Sequence, residues 1–327
     1  MTSLYPSALR IAALAALLLM PFEGAAQVPY PNKPVRLVIG FAPGGAADYV
    51  ARVLAEPMGR MLGQSIIVEN RAGAGSSIAA EYVAKATPDG YTLLIASPSS
   101  ISVNPAVNPK LGYSARDLAP VTKVSASPLV IAVNSALGVA NLRELIAAAK
   151  KVPGKFNYAS SGNGSAPHLS GVLFSRLAGV EMVHVPFKGG SLAVQSVVAG
   201  DTQMTFGTPP SVLPLVQAGR LRALGITARN RSALVPDLPG MVEAGLPEYE
   251  MSFWYGIFVP AGTPAAIIKR VHEAAITAVQ LLETAKAFAR EGTETAMSKT
   301  PEEFAAFLAE DAKFWVRLVK ESKLSVD

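Results

Sequence analysis

The feature that most constrains this chain is a repeated alternation between short apolar runs and stretches with helical periodicity. Such runs predict strands buried on both faces, and the stretches between them predict helices that cross over the sheet. The first series predicts strands over residues 35–39, 66–68 and 91–96, with helices over 48–62 and 78–86. This order of elements is typical of a parallel βαβαβ unit, so the sequence predicts an α/β fold.

A second series of the same kind starts at residue 129. A chain of 327 residues is long enough for about two domains, so the two series predict two α/β units. The part after residue 263 has helical periodicity. The second series predicts strand 129–133, helix 142–150, strand 157–160, helix 168–177, strand 182–185, helix 192–199, strand 203–206, helix 211–217 and strand 221–226.

The first 26 residues have the composition of a secretory signal peptide. Arg10 precedes an apolar stretch over residues 11–22, and Gly24-Ala25-Ala26 supplies small residues for signal peptidase. The apolar stretch is shorter than the roughly 20 residues that span a bilayer, which disfavours the alternative of an uncleaved anchor. We therefore expect cleavage after about Ala26 and a mature protein in the periplasm, since no later segment is apolar enough to cross a membrane.

The composition excludes several classes of function. The chain has no cysteine, which rules out disulfides, thiol catalysis and cysteine-ligated metal centres. Its formal charge of +5 includes no run of five like charges, so nucleic-acid binding is not indicated. The nucleophile turn of hydrolases, the His-Glu-x-x-His metal motif and the phosphate-binding loop are all absent. We expect no catalytic residue, metal or cofactor.

Two glycine-rich turns are the first candidates for a binding site. Phe41-Ala42-Pro43-Gly44-Gly45 and Phe187-Lys188-Gly189-Gly190 each follow a predicted strand and precede a predicted helix. In open parallel sheets, ligands bind beyond the carboxyl ends of the strands, where glycine lets the backbone approach and the helix presents free N–H groups. Two such turns from two domains would face each other across a cleft. The alternative is that each glycine pair only forms a tight turn.

Further polar loops follow the same ends of predicted strands. They are Asn70-Arg71-Ala72-Gly73-Ala74-Gly75-Ser76, Ser97-Pro98-Ser99-Ser100 and Ser160-Ser161-Gly162-Asn163-Gly164-Ser165. Clustered amide and hydroxyl donors suit a carboxylate, because they replace its hydration without a full counter-charge. His168 opens the helix after the last loop, and it either reaches the cleft or packs and caps locally. Together the loops predict a polar cleft.

Six ordered blocks of the sequence resemble the Bug-type solute receptors of tripartite tricarboxylate transporters. The resemblance extends over essentially the whole chain after residue 26. The blocks are YPNKPVRLV (30–38) with FAPGGAAD (41–48), VENRAGAG (68–75), ATPDGYTLL (86–94), GSAPHL (164–169), VPFKGG (185–190), and PDLP (236–239) with EAGLP (243–247).

This resemblance implies a two-domain periplasmic binding protein of type II-like fold. Each domain would be a mainly parallel sheet flanked by helices, with domain 1 formed by residues 27–125 and 252–327 and domain 2 by residues 126–251. Two crossover strands, near 121–133 and 251–259, would join them. The implied role is a monomeric receptor that binds a small organic carboxylate in the cleft. It would deliver the ligand to the large and small integral membrane subunits of the transporter. The alternative to this role is a secreted enzyme or a sensor-linked binding protein on the same fold.

The resemblance also implies which residues bind the ligand. The first glycine turn and the helix after it would hold one carboxylate, and Ser165 and the second glycine turn would line the opposite wall. Asp48 has a plainer interpretation as a first-turn acid that stabilises the loop, and Lys188 as a solvated cation. The implied set is Phe41, Ala42, Pro43, Gly44, Gly45, Ala46, Asp48, Ser97, Ser99, Asn163, Gly164, Ser165, His168, Phe187, Lys188, Gly189, Gly190, Ser191, Gly207 and Thr208.

The sequence departs from the family pattern at two glutamines. Gln195 and Gln203 stand where many members carry Asp, and the segment Gly207-Thr208-Pro209 is less acidic than in some. Carboxylates beside a cleft would pair with a ligand ammonium. We therefore expect a mono- or dicarboxylate, aromatic acids included, rather than an amino acid.

Overall fold

The computed structural model describes residues 30–108 and 110–321, so the predicted signal peptide lies outside the described residues. Within them, the chain forms two β-sheets with helices packed on their faces. The strands are β1 (Val35–Ile39), β2 (Ile66–Asn70), β3 (Thr92–Ala96), β4 (Leu118–Pro128), β5 (Val130–Asn134), β6 (Phe156–Ser160), β7 (Met182–Pro186), β8 (Met204–Gly207), β9 (Leu221–Ile226), β10 (Ser252–Pro260) and β11 (Glu294–Thr295). The α-helices are α1 (Ala46–Leu62), α2 (Ser77–Ala84), α3 (Asn104–Val107), α4 (Leu142–Lys151), α5 (Ala166–Ala178), α6 (Gly190–Ala199), α7 (Pro209–Gln217), α8 (Met241–Ala244), α9 (Ala265–Gln280), α10 (Leu282–Arg290) and α11 (Pro301–Glu321).

The first sheet has six strands in the order β11-β4-β10-β3-β1-β2. β1 pairs in parallel with β2 and β3, and β10 is antiparallel to both β3 and β4. All side chains of β1 except Arg36 are buried, as expected for a strand covered on both faces. Val50, Leu54 and Met58 recur every four residues on α1, and all three are fully buried. Each such burial stabilises the fold by about 2–3 kcal/mol. We call this sheet with its helices lobe 1.

The second sheet, which with its helices forms lobe 2, has five strands in the order β7-β6-β8-β5-β9. β6 is parallel to β7 and β8, as the alternating pattern predicts. β5, however, is antiparallel to both β8 and β9. The prediction that strand 129–133 begins another parallel series was therefore wrong for its direction. The reason is that β5 enters directly from β4 of lobe 1 and so runs against its neighbours.

The predicted strands and helices of both series are all present, with bounds within two residues of the prediction. The helices α1, α5, α6 and α7 each begin two residues earlier than predicted. Their first residues are small residues or proline, which carry little hydrophobic signal but start a helix well. The helical N–H groups therefore begin immediately after the glycine- and serine-rich turns.

The chain passes between the lobes twice, and Thr227 joins the two passages. Only Leu129 separates β4 from β5, and its N–H donates to Thr227 Oγ1 at 2.8 Å. The same hydroxyl donates to the carbonyl oxygen of Met251, just before β10, at 2.6 Å. The crossings expected near 121–133 and 251–259 coincide with β4–β5 and β10.

Candidate functional site

The two glycine turns meet between the lobes, as the sequence predicts. The N–H of Ala42 donates to the carbonyl oxygen of Lys188 at 3.1 Å, and the Ser191 hydroxyl donates to the carbonyl oxygen of Pro43 at 3.0 Å. A β-carbon built on Gly189 would lie only 2.9 Å from the backbone nitrogen of Ala42. The backbones touch because glycine stands at this position.

Four helices begin at the space between these turns. Their N-cap residues are Gly45 for α1, Ser165 for α5, Gly189 for α6 and Thr208 for α7. A helix N-terminus carries the equivalent of roughly half a positive charge and leaves backbone N–H groups without intrahelical partners. Their combined effect favours one anionic group at this place without any charged side chain.

The space itself is a cavity of about 20 Å³, enough for about one water molecule. The lobes are thus closed on each other in this structure. None of the lining side chains carries a charge at neutral pH. Tyr255 is the ionisable residue among them, and burial raises the pKa of its phenol further above the usual value. The lining residues are Phe41, Gly45, Ala46, Ala47, Ser161, Pro167, Gly190, Ala193, Thr205, Phe206, Gly207, Thr208, Phe253 and Tyr255.

Asp48 lies behind the first glycine turn rather than among the lining residues. Its carboxylate accepts hydrogen bonds from Gly44 N–H at 3.0 Å, Arg52 Nε at 2.9 Å and Asn70 Nδ2 at 3.1 Å. Burial by itself raises the pKa of Asp48, but the bonds from Arg52, Gly44 and Asn70 outweigh it and lower the pKa below the usual value. This geometry matches the plainer interpretation of Asp48 as the acid that fixes the turn.

The loop over residues 160–165 approaches the cavity from lobe 2. Ser165 caps α5, since its hydroxyl accepts the His168 N–H at 3.3 Å. Gly164 N–H donates to His168 Nδ1 at 3.1 Å, so His168 packs beneath the loop and is not among the lining residues. Asn163 is exposed and is not among the lining residues.

Six members of the predicted set line this cavity: Phe41, Gly45, Ala46, Gly190, Gly207 and Thr208. Besides Asp48, Asn163, Ser165 and His168, the members outside the lining are Ala42, Pro43, Gly44, Ser97, Ser99, Gly164, Phe187, Lys188, Gly189 and Ser191. Ser97 and Ser99 are completely buried in lobe 1, and their hydroxyls find no partner among the described residues. Lys188 is exposed, and it contributes its carbonyl oxygen to the contact between the lobes. It therefore has the position of a solvated cation.

The sequence model of the TctC family, the tripartite tricarboxylate transporter family receptor, matches residues 50–324. The chain belongs to the TctC family. A relative, BugT of Bordetella pertussis, is 36% identical over 295 residues, which are 90% of each chain. Two solved structures are similar. Periplasmic binding protein BugD has a TM-score of 0.87 at 29% identity, covering 90% of this chain and 99% of that one. R. palustris Rpa4515 with adipate has a TM-score of 0.87 at 31% identity, covering 91% and 99%.

These comparisons confirm the Bug-type resemblance and the periplasmic-binding-protein fold of this TctC receptor. The proteins that it resembles are solute-binding receptors. In residues 30–108 and 110–321, no helix is long and apolar enough to cross a membrane. Over the same residues, no cluster of three acidic or histidine side chains is arranged to hold a metal ion.

Sequence reasoning missed part of the cavity of this TctC receptor. Phe253 and Tyr255 come from β10, and Thr205 and Phe206 come from β8, so neither pair lies in a glycine- or serine-rich loop. Phe253 and Tyr255 are alternate residues of a strand and therefore point to the same side of the sheet. That spacing, on a strand expected to cross between domains, was the available signal.

Proposed function

We propose that this TctC receptor binds a small organic carboxylate between its lobes and delivers it to the large and small membrane subunits of a tripartite tricarboxylate-type transporter. The observation that carries the proposal is the meeting of four helix N-termini at an uncharged cavity. Such a site holds a carboxylate by neutral N–H and O–H donors, and it offers no charged partner to a cation. The adipate bound to the similar Rpa4515 supports a carboxylate as ligand.

The aromatic lining narrows the ligand class. Four aromatic residues, Phe41, Phe206, Phe253 and Tyr255, are among those that line the cavity. Phe253 and Tyr255 pack edge to face, with ring centroids 4.8 Å apart. Apolar walls favour a ligand body without further charge, and flat rings favour aromatic bodies. We expect mono- and dicarboxylates with an apolar or aromatic body to bind, and amino acids to bind poorly.

The proposed ligand-binding residues are those members of the predicted set that line the cavity, together with Ser161, Tyr255 and the other lining residues. These members are Phe41, Gly45, Ala46, Gly190, Gly207 and Thr208. The proposed domains are residues 27–125 with 252–327, and residues 126–251, with hinges in β4 and β10. The protein would act as a monomer in the periplasm after cleavage near Ala26. It needs no cofactor, since backbone and hydroxyl groups hold the charge.

A thermal-shift screen tests the proposed function. Monocarboxylates, dicarboxylates, tricarboxylates, amino acids, sugars and metal ions should each be added to the mature protein, and hits measured by calorimetry. A ligand at about 1,000 times its dissociation constant should stabilise the fold by roughly 4 kcal/mol. Hits confined to sugars or metal ions would contradict the proposal.

Small-angle scattering tests the hinge. The cavity of about 20 Å³ is smaller than any of these ligands, so entry requires the lobes to separate. We expect the ligand-free protein to have a larger radius of gyration than the complex, because a ligand that contacts both lobes favours the closed form. Equal radii with a ligand verified as bound would indicate a preformed pocket instead.

A further inference from the structure

Two histidines stack on each other beneath the 160–165 loop. The rings of His168, on α5, and His184, on β7, have centroids 3.8 Å apart and planes 14° apart. The ring of Tyr158, on β6, lies beside both, at 6.5 Å from His168 and 5.1 Å from His184. None of these three rings lines the cavity, so the proposed function leaves them without a role.

Each imidazole holds a different part of the loop. His168 Nδ1 accepts the Gly164 N–H at 3.1 Å, which requires this nitrogen to be unprotonated. His184 Nε2 lies 2.6 Å from the Ser160 hydroxyl. That hydroxyl also contacts the N–H and the carbonyl oxygen of Gly162, both at 3.1 Å. The pair therefore fixes the backbone on both sides of Ser161, the residue that the loop presents to the cavity.

The same loop is part of the contact between the lobes. A β-carbon on Gly162 would lie 3.3 Å from the backbone nitrogen of Gly75 in lobe 1, and one on Gly75 would lie 2.4 Å from the carbonyl oxygen of Asn163. The loop backbone and lobe 1 therefore lie too close together to leave room for a side chain at Gly75. Loop position and lobe closure are therefore coupled.

The surroundings of the pair disfavour a charge on either ring. Burial lowers the pKa of His168 to about 4. Burial, and then the neighbouring His168, lower the pKa of His184 to about 3. Tyr158 is a titratable group that lies beside both rings, and burial raises the pKa of its phenol, so it stays neutral. Among the described residues, no acidic side chain contributes to the pKa shift of either histidine.

We propose that His168 and His184 are positioning residues of the ligand cleft: the neutral pair holds the 160–165 loop in place, and proton uptake releases it. A proton from solvent that binds the Nδ1 lone pair of His168 turns the acceptor into a donor that faces the Gly164 N–H, so this hydrogen bond breaks. The charged ring also lies in stacking contact with its neighbour. The inference rests on the proposed function in taking this loop as a wall of the ligand cleft.

Ligand-free NMR provides a test that does not depend on any ligand. The chain has three histidines, so the ring signals of an untagged sample are easily assigned. We expect the rings of His168 and His184 to titrate well below pH 6.5. The Gly164 amide signal should shift with the same midpoint as the His168 ring, because this amide donates to it. An unchanged Gly164 amide through the titration of His168, or rings that both titrate near pH 6.5, would overturn the proposal.

Two substitutions separate positioning from packing. His168→Asn keeps an acceptor the same number of bonds from the backbone and cannot titrate, whereas His168→Phe keeps a ring but has no acceptor. We expect the Asn variant to retain the neutral-pH Gly164 amide shift and to lose its change in acid, and the Phe variant to lose the neutral-pH shift. His272→Asn, at a buried histidine that contacts the Ser298 carbonyl oxygen in lobe 1, is the matched control.

Calorimetry with adipate and benzoate as probes extends the test to the cleft. At neutral pH the Phe variant should bind about tenfold more weakly than wild type, as expected for one lost hydrogen bond, and the Asn variant should bind nearly as wild type. Binding by wild type should weaken in acid, and binding by the Asn variant should depend less on pH. Equal weakening by both substitutions, with equal pH profiles, would mean that the pair only packs. If neither probe binds wild type, the proposed function is at fault, and the Gly164 amide alone decides the role of the pair.

Discussion

The side-chain oxygen of Asn104, in lobe 1, occupies the space beside the α-carbon of Gly164, in lobe 2. A β-carbon built on Gly164 would lie 2.1 Å from Asn104 Oδ1. Asn104 cannot easily move aside, because its amide donates to the Gly75 carbonyl oxygen at 3.0 Å and to the Ser77 hydroxyl at 2.7 Å. Closure of the lobes therefore depends on the absence of a side chain at position 164.

Gly164→Ala should accordingly weaken ligand binding by blocking closure. Gly154→Ala is the matched control: the two glycines have φ values of +70° and +69°, but no atom lies within 4 Å of a β-carbon at Gly154. Both variants should lose about 1 kcal/mol of stability from left-handed strain. Only Gly164→Ala should lose affinity in calorimetry and keep the larger, open radius in scattering. Equal affinities in the two variants would show that the Asn104 contact does not limit closure.

The first glycine turn permits a graded test at Gly45. This residue has φ −92°, so a side chain imposes no backbone strain, and a β-carbon would meet the Ala42 carbonyl oxygen at 3.7 Å and Ser191 N at 3.8 Å. Both distances are ordinary contacts, so Gly45→Ala should retain binding. Gly45→Val should abolish binding, because its methyl groups extend into the cavity, while the unfolding transition stays cooperative. Calorimetry of the two variants checks this, and full affinity of Gly45→Val would show that the turn is only structural.

Local patterns were enough to locate the strands and helices of the two predicted series. Strands such as β1 and β9 have the predicted bounds, because a buried apolar run and the turns around it are properties of neighbouring residues. The direction of β5 was not predictable in this way, since an apolar run looks the same whichever way the strand runs. The direction of β5 follows from that of β4, because only Leu129 separates the two strands and the chain does not turn back between them.

The candidate site was predictable where it lies in glycine- and serine-rich loops and not where it depends on distant pairs. Gly45, Gly190 and Thr208 line the cavity as expected. The stacking of His168 on His184 joins a helix to a strand, and no spacing rule links the two positions. The contact of Asn104 with Gly164 joins the two lobes, so it depends on how closely they approach.

Asp311, on α11, should destabilise the protein at neutral pH. Burial raises its pKa to about 6, and Trp254, Trp315 and Lys123 only partly oppose this effect. Because the folded-state pKa of Asp311 lies above its unfolded value of 3.8, this carboxyl favours the folded state when it is protonated. Its contribution to the stability of the protein is therefore complete below pH 3.8 and is lost as the pH rises through 6.

Asp311→Asn removes this penalty and should stabilise the protein at pH 8 by about 1–2 kcal/mol, after a discount for solvent screening. At pH 4 it should have little effect. Chemical denaturation at the two pH values measures the difference, and Glu310→Gln, at an exposed neighbour, serves as the control. A stability gain that is the same at both pH values would contradict a titrating Asp311.

The last prediction concerns Thr227, which is completely buried where the chain crosses between the lobes. Its hydroxyl accepts from Leu129 N–H and donates to the Met251 carbonyl oxygen, so Thr227→Val leaves two buried backbone groups without these partners. The expected loss of stability is about 2–4 kcal/mol, because each buried group left unsatisfied costs about 1–3 kcal/mol. Thr227→Ser keeps the hydroxyl, removes only a methyl group and should lose about 1 kcal/mol. Chemical denaturation compares the two variants. Because the hydroxyl holds the two passages together, Thr227→Val should also increase the ligand-free radius of gyration in scattering. Equal stability of Thr227→Val and Thr227→Ser in chemical denaturation would show that Thr227 does not join the hinge strands.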